Sequence, residues 1–403
     1  MDKIFIQIAS YRDPELLPTI KDCISKAAYP ERLTFGICWQ RDETESLGDL
    51  INDDRIRVID KHYSESKGAC WARNLTQSLY NGEEFTMQID SHSRFVQDWD
   101  ELLIDMWNSL DDKKAILTCY PPNYGPNLPE EQWYKVPQIC NVYKFNYKYV
   151  VSQPMDMPDR EGRTLPRRGV FIAAGFIFGT GDIIKDVPYD PNLYFTGEET
   201  SLTLRFFTNG YNIYHPHKLV LHHYYQRPDY NKHWSDHIDW GNYNKVAFQR
   251  LDSLLGYENI DLGIYGLGTE RTLEDYKNYS GVDHKRMLIH EYTEKGGEPP
   301  HEYDEDGWNN VKGTYRNVLK WDPNLVDKTD DIRFWAFIVK DQYDVAIFRW
   351  DCVAEEHPDI INGKITERLF EFEHNIVKQI PKTLMIWPYS NSKEWINNTI
   401  FKI

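Results

Sequence analysis

Phe85-Thr-Met-Gln-Ile-Asp-Ser-His-Ser-Arg94 decides how the rest of the chain reads. A short, mostly apolar run ends here in polar groups. This is the pattern of a β-strand delivering side chains to the carboxyl edge of an open α/β sheet, where such sheets bind their ligands. Asp90 and His92 stand two residues apart, so in extended backbone both point to one side and can grip a single cation. A carboxylate with an imidazole suits Mn²⁺ better than Ca²⁺, and Mg²⁺ is accommodated when diphosphate oxygens supply further ligands. Alone, Asp-Ser-His is more often just the polar end of a strand. The flanking elements change that balance.

Upstream, Lys3-Ile-Phe-Ile-Gln-Ile-Ala9 predicts a first strand, Ser10-Tyr-Arg-Asp-Pro14 a polar turn, and residues 15–28 an amphipathic helix with Leu16, Leu17, Ile20, Cys23 and Ile24 on one face. Strands are expected at 33–39 and 56–59, which makes the opening of the chain a parallel βαβ unit. That topology brings Ser10, Tyr11, Arg12 and Asp13 to the edge that carries Asp90 and Ser91, beside whatever a cation there holds. Helix capping is the other employment for Ser10 and Asp13. In Ser66-Lys-Gly-Ala-Cys-Trp-Ala-Arg-Asn74, Gly68 allows close backbone approach, and Arg73 is placed either to meet an anion or to make a structural ion pair.

Downstream, a helix is expected over 99–107 and a strand over 115–119. The stretch 121–132 is rich in proline and asparagine, and 154–169 carries Arg160, Arg163, Arg167 and Arg168; such loops serve as lids or acceptor surfaces, or are simply solvated. Val170–Phe178 reads as a buried apolar stretch in which Gly175 permits close approach of a ligand or another backbone. Glu198 and Glu199 sit at the amino end of the next helix, where the dipole favours negative charge; that role accounts for one of them more readily than for both. The strand from Leu219 then ends in His222-His223, and successive strand residues face opposite ways. One of the pair therefore either plays a structural part or completes an Asp-His-His set.

With 41% hydrophobic and 14% aromatic residues, the 403-residue chain has material for two or three packed domains. A formal charge of −17 without a basic stripe argues against a nucleic-acid partner. No apolar run is long enough for a membrane span, and the chain opens almost directly on a strand, with no room for a signal peptide. The six cysteines have no CxxC spacing and read as reduced thiols in a cytoplasmic protein. Three regions are expected: 1–255, an α/β domain; 256–327, a connecting region with short helices; and 328–403, a small β-rich domain that includes a hairpin at Phe334–Val339 and Val345–Trp350.

Ile8-Ala-Ser-Tyr-Arg-Asp-Pro14, Asp90-Ser-His92 and His223-Tyr-Tyr, taken together, resemble the GT-A glycosyltransferases, and more specifically the Skp1-type hydroxyproline N-acetylglucosaminyltransferase family, over roughly residues 1–250. The resemblance implies a GT-A-like mixed, mostly parallel sheet flanked by helices. It also implies a UDP-GlcNAc donor, Mn²⁺ or Mg²⁺, and transfer with retention to a hydroxyl of a protein or glycan acceptor. Asp90 and His92 become metal and diphosphate ligands, and a histidine of the doubled pair, preferably His223, a third metal ligand. Ser10, Tyr11, Arg12, Arg73 and Ser91 are then the donor-binding candidates, and Glu198 or Glu199 holds sugar hydroxyls or the acceptor. An inverting enzyme would instead use Glu199 as base. A sugar nucleotidyltransferase is a weaker reading, because the Ser10–Pro14 turn lacks the glycine-rich loop. A non-catalytic carbohydrate-binding protein is the other competitor.

Overall fold

The first strand, β1 (Ile4–Tyr11), is apolar on both faces because both are covered: Ile4, Ile6 and Ile8 enter one core and Phe5 another. Such a strand belongs in the middle of an α/β sheet. The computed structural model describes residues 2–146, 148–227, 230–309, 312–375 and 379–403. After α1 (Leu16–Ser25), β2 (Leu33–Arg41) pairs in parallel with β1, and β3 (Ile56–His62) pairs in parallel with β2. Next, α2 (Ala69–Gln77) leads to β4 (Phe85–Asp90), which lies parallel to β1 on its other side, with Asp90 opposite Ala9. Leu16, Ile20 and Cys23 of α1 join the core of Ile4, whereas Cys70 of α2 joins that of Phe5, so the two helices cover opposite faces.

The chain continues through β5 (Ser93–Phe95), α3 (Trp99–Asn108) and β6 (Ala115–Thr118), then through a hairpin of β7 (Gln138–Asn146) and β8 (Tyr149–Asp156). It passes β9 (Arg167–Arg168), β10 (Phe176–Thr180), α4 (Ile183–Asp186), α5 (Glu198–Thr208), β11 (Asn212–His215) and β12 (Leu221–His223). The eight-stranded sheet has the order β3-β2-β1-β4-β10-β6-β11-β9, with β10 antiparallel between β4 and β6. The mixed, mostly parallel sheet flanked by helices is thus the expected architecture. The apolar stretch 170–178 is buried as expected, and only its end is strand. Residues 172–174 are buried, but their N–H groups go to side chains, Ile172 to Thr203, Ala173 to Thr118 and Ala174 to Glu199, and only Phe176–Thr180 is in the ladder.

Beyond β12 come α6 (His233–Asp236), α7 (Trp240–Leu254), α8 (Leu273–Ser280) and a short ribbon of β13 (Val282–Asp283) and β14 (Leu288–Ile289). The chain divides into two compact units, Met1–Asp304 and Glu305–Ile403. The stretch 256–327, read from sequence as a connector, is shared between them. Tyr276 and Val282 pack with Phe171 and Phe207 in the first unit, while β15 (Lys312–Lys320) belongs to the second. In that second unit the expected hairpin is β16 (Ile332–Asp341) against β17 (Ala346–Val353). β18 (Glu367–Asn375) pairs with β15, β19 (Pro381–Ser390) with β16, and β20 (Glu394–Trp395) and β21 (Thr399–Lys402) both pair with β19. Trp335, Phe337 and Val339 alternate into its core, and Ala336 and Ile338 face the other way.

Candidate active site

Asp90 ends β4, and its two carboxylate oxygens have different partners. Oδ1 accepts from Arg73 Nη2 at 2.7 Å, while Oδ2 faces His223 Nε2 at 3.1 Å and His92 Nε2 at 3.9 Å. One ligand atom from each of Asp90, His92 and His223 lies within 4.8 Å of the other two. His92 does not arrive by the extended backbone expected from its spacing, because the chain bends at Ser91-His92 directly after β4. What aims its ring is Asp13, whose Oδ2 accepts from Nδ1 at 2.7 Å. A carboxylate can only accept, so this bond puts the proton on Nδ1 and turns the bare Nε2 toward Asp90. His223 comes from β12, which pairs with β5 so that His223 lies opposite Ser93. Its neighbour His222 points away, donating from Nε2 to the Tyr134 carbonyl at 3.1 Å and packing on Trp133.

Asp13 does more than shape the turn ahead of α1. Its Oδ1 accepts from Glu15 N–H at 3.0 Å in that turn, and its Oδ2 takes hydrogen bonds from His92, Ser91 Oγ (2.7 Å) and Arg227 Nη1 (3.0 Å). Burial pushes this carboxyl upward, but His92, Arg227 and Ser91 together hold it below the usual range. Asp90 behaves alike: against its burial, His223, Arg73 and His92 keep it well below the ordinary carboxylate value. Arg73 is buried and fixed on both sides, with Nη1 donating to Glu198 Oε1 at 2.5 Å and to Tyr189 Oη at 3.1 Å. Glu199, next to Glu198, turns elsewhere: its Oε1 accepts from Ala174 N–H at 2.9 Å and its Oε2 from Tyr120 OH at 3.0 Å. Burial, with Glu198 nearby, raises its pKa to about 7.

Two cavities meet at this cluster. One, of about 350 Å³, is lined by Glu198, Glu199, Tyr120 and His223, and the other, of about 250 Å³, by Tyr11, Asp13, His92, Arg227 and Lys232; both are walled by Arg73, Asp90 and Phe195.

The family model for Glycosyltransferase (GlcNAc) matches residues 3–51 and 47–286. The chain belongs to the GlcNAc glycosyltransferase family. The match includes every residue of the cluster and both cavities, and membership favours a transferase over a nucleotidyltransferase or a non-catalytic binding protein. Solved structures similar to the chain include GalNAc-T7 with UDP, GalNAc and Mn²⁺, at 11% identity and TM-score 0.47, covering 98% of this chain and 68% of that one. TarS residues 1–349 of S. aureus in complex with UDP-GlcNAc is similar at 14% identity and TM-score 0.39, covering 65% of this chain and 68% of that one. No curated protein matches. Among the described residues, no helix is long and apolar enough to cross a membrane.

In this glycosyltransferase the candidates picked from sequence do not all reach the cavities. Tyr11 and Ser91 line the second one. Ser10 is fully buried in β1, where its carbonyl accepts from Gln40 Nε2. Arg12 lines neither cavity: its guanidinium pairs with Asp42 at 3.1 Å and Asp236 at 2.9 Å and lies over the Tyr63 ring. The reason is local, since φ of Arg12 is +44°, a turn conformation that swings the side chain off the line of β1. Two arginines of the 154–169 loop are likewise engaged, Arg163 and Arg167 both pairing with Asp159 and Glu298. Sequence reasoning assigned no part to Arg227, Lys232, Tyr120 or Tyr189. Arg227 carried the one usable signal, four residues beyond His223 in the same polar run. Nothing local marks the two tyrosines.

Proposed function

We propose that this glycosyltransferase moves GlcNAc from UDP-GlcNAc to a hydroxyl of a protein or glycan, with a divalent cation, Mn²⁺ or Mg²⁺, held by Asp90, His92 and His223, and with retention. The observation that carries the reading is the convergence of those three ligand atoms, beside Arg73, where two cavities join. The donor set fits such an ion: one carboxylate, and two imidazoles of which His92 is oriented by a carboxylate behind it. Bound there, the cation neutralises charge that grows on the departing UDP. The motifs that resemble the Skp1-type family support the same donor and metal.

The two cavities suit the two halves of the donor. Arg227 and Lys232 make the second one locally cationic in a chain of net charge −17, and Tyr11 and His233 present rings 5.0 Å apart, a setting for a nucleotide diphosphate. Arg73, locked by Glu198, Tyr189 and Asp90, supplies a fixed positive charge at the junction that need not reorganise during transfer. Glu198, Glu199 and Tyr120 line the first cavity and supply oxygen partners for the hydroxyls of sugar or acceptor. Both carboxylates already hold partners within the protein, which supports retention with the leaving phosphate taking the acceptor proton. The raised pKa of Glu199 is the one observation on the side of inversion, and the anomeric configuration of the product by NMR decides between the two. All six cysteines are unpaired, which supports a reducing, cytoplasmic setting.

The test is Asp90→Ala. We expect cation-dependent UDP release from UDP-GlcNAc to fall by about 10²-fold or more, the scale on which a group stabilising developing charge acts, with the circular dichroism spectrum retained. Undiminished release in that folded variant sinks the proposal. Thermal shift with a panel of UDP-sugars, with and without Mn²⁺, identifies the sugar, because a ligand that binds only the folded state raises Tm.

A further inference from the structure

A third depression, of about 430 Å³, adjoins the catalytic cavity and shares Tyr225 with it. Its volume falls in the range of small-ligand sites, roughly 300–1,000 Å³. Four aromatic side chains, Tyr124, Trp133, Tyr134 and Tyr225, share its wall with the amides of Asn123 and Gln132, and none of its ten lining residues is charged. That neutrality is selective in a chain in which 27% of residues are charged.

The rings are held in place. Tyr124 OH donates to Glu15 Oε2 at 3.2 Å, Trp133 Nε1 to the Leu128 carbonyl at 3.0 Å and Tyr225 OH to the Pro121 carbonyl at 2.9 Å. Even so, Tyr134 and Tyr225 remain 43% and 40% exposed, so ring surface is on offer to solvent. The wall is also in register with the catalytic cluster. Asn123 bridges to His223, His223 N–H donates to the Pro122 carbonyl at 2.9 Å, and Tyr124 N–H donates to the His223 carbonyl at 3.2 Å. A ligand in this groove is therefore placed relative to Asp90 and His223 by main-chain hydrogen bonds.

Ring faces beside uncharged amides match one chemistry closely. A pyranose presents a face of C–H groups, whose positive edge suits the negative face of an aromatic ring, and a rim of hydroxyls that both donate and accept as an amide does. No residue of the lining itself offers a charged ligand a counter-charge. We propose that the groove is an acceptor subsite that binds a neutral sugar residue of a glycan acceptor, next to the residue that receives the transferred sugar. Its role rests on the transferase reading above, but its ligand is argued from its own lining.

The test is made on the full chain without donor or divalent cation, so that failure of the transferase reading leaves it intact. A panel of neutral linear oligosaccharides of hexose and N-acetylhexosamine, with a proline-rich peptide of similar length beside them, is titrated by saturation-transfer NMR and calorimetry. We expect at least one oligosaccharide to bind, Tyr134→Ala to weaken it by about ten-fold or more, and Tyr134→Phe, which keeps the ring face, to stay close to the parent. Tyr134 is exposed; its carbonyl accepts from His222 and its OH donates to Asp156 Oδ2, so both variants keep the His222 contact and both lose the exposed Asp156 hydrogen bond, and Tyr134→Phe separates that loss from loss of the ring face. In acceptor assays Tyr134→Ala raises KM for the oligosaccharide and leaves acceptor-independent UDP release unchanged. Absence of any oligosaccharide binding, binding indifferent to Tyr134→Ala, or capture of the proline-rich peptide alone overturns the proposal.

Discussion

Asp90 separates its two oxygens between a permanent cation and the proposed cation site, Oδ1 to Arg73 and Oδ2 to the histidines. Arg73 in turn reaches Asp90 through one nitrogen and Glu198 and Tyr189 through the other. A lysine cannot make that fork. Arg73→Lys is therefore expected to lower the rate of UDP release by about 10²-fold, with far less effect on Mn²⁺ binding by calorimetry, since the histidines and Oδ2 are untouched. Glu199 gives a second prediction. Its pKa is raised to about 7, so the folded protein holds that proton more tightly than the unfolded chain. The stabilisation is complete below the ordinary glutamate value and is lost as pH rises through about 7. Glu199→Gln is expected to remove that component, and Tm of the variant minus that of the parent should grow from pH 5 to pH 8. A difference that is flat with pH contradicts the assignment.

At the scale of elements, the site is a meeting of three chain segments that never touch in sequence: the turn after β1, the bend after β4, and the residues around β12. Asp13 ties them, taking Glu15 N–H from the first, Ser91 and His92 from the second and Arg227 from the third. It is 4% exposed, so its removal leaves buried donors and a cation unmatched. Asp13→Ala is expected to destabilise the first unit by about 3–5 kcal/mol, as when one partner of a buried ion pair is deleted, measured by denaturant unfolding. Because the folded Asp13 carboxyl titrates below its ordinary value, its contribution is present above the usual carboxylate range and is lost as pH falls. The penalty should accordingly shrink in acid. Asp13→Ala is also expected to weaken Mn²⁺ binding by about 10–100-fold, because His92 loses the acceptor that orients it.

At the scale of the molecule, two sets of cores are separate in sequence. The clusters built on Ile4, on Phe5 and on Val142 draw only on residues before 305, and the cluster around Trp335 and Phe337 only on residues after it. The three proposed donor and acceptor cavities all lie in the first unit. A 1–304 fragment is expected to melt cooperatively and to keep cation-dependent UDP release. A fragment that folds but releases no UDP assigns the second unit a part in the chemistry.

What the sequence determined by itself was the set of elements and the edge on which the site would form. Hydrophobic period is a local property, so β1 to β4, α1, α2 and the β16–β17 hairpin were legible, and strand polarity then placed Ser10–Asp13 and Asp90 on one rim. It also narrowed the second histidine of the cluster to two adjacent residues. Tertiary structure alone shows which of them faces Asp90, because that depends on the pairing of β12 with β5. It likewise turned Arg12 away, made Asp13 the hub of the cluster, put only the end of the 170–178 stretch into the sheet, and brought in Tyr120, Tyr189 and Arg227. Each of those outcomes depends on a partner distant in sequence, and no local pattern records where a partner will stand.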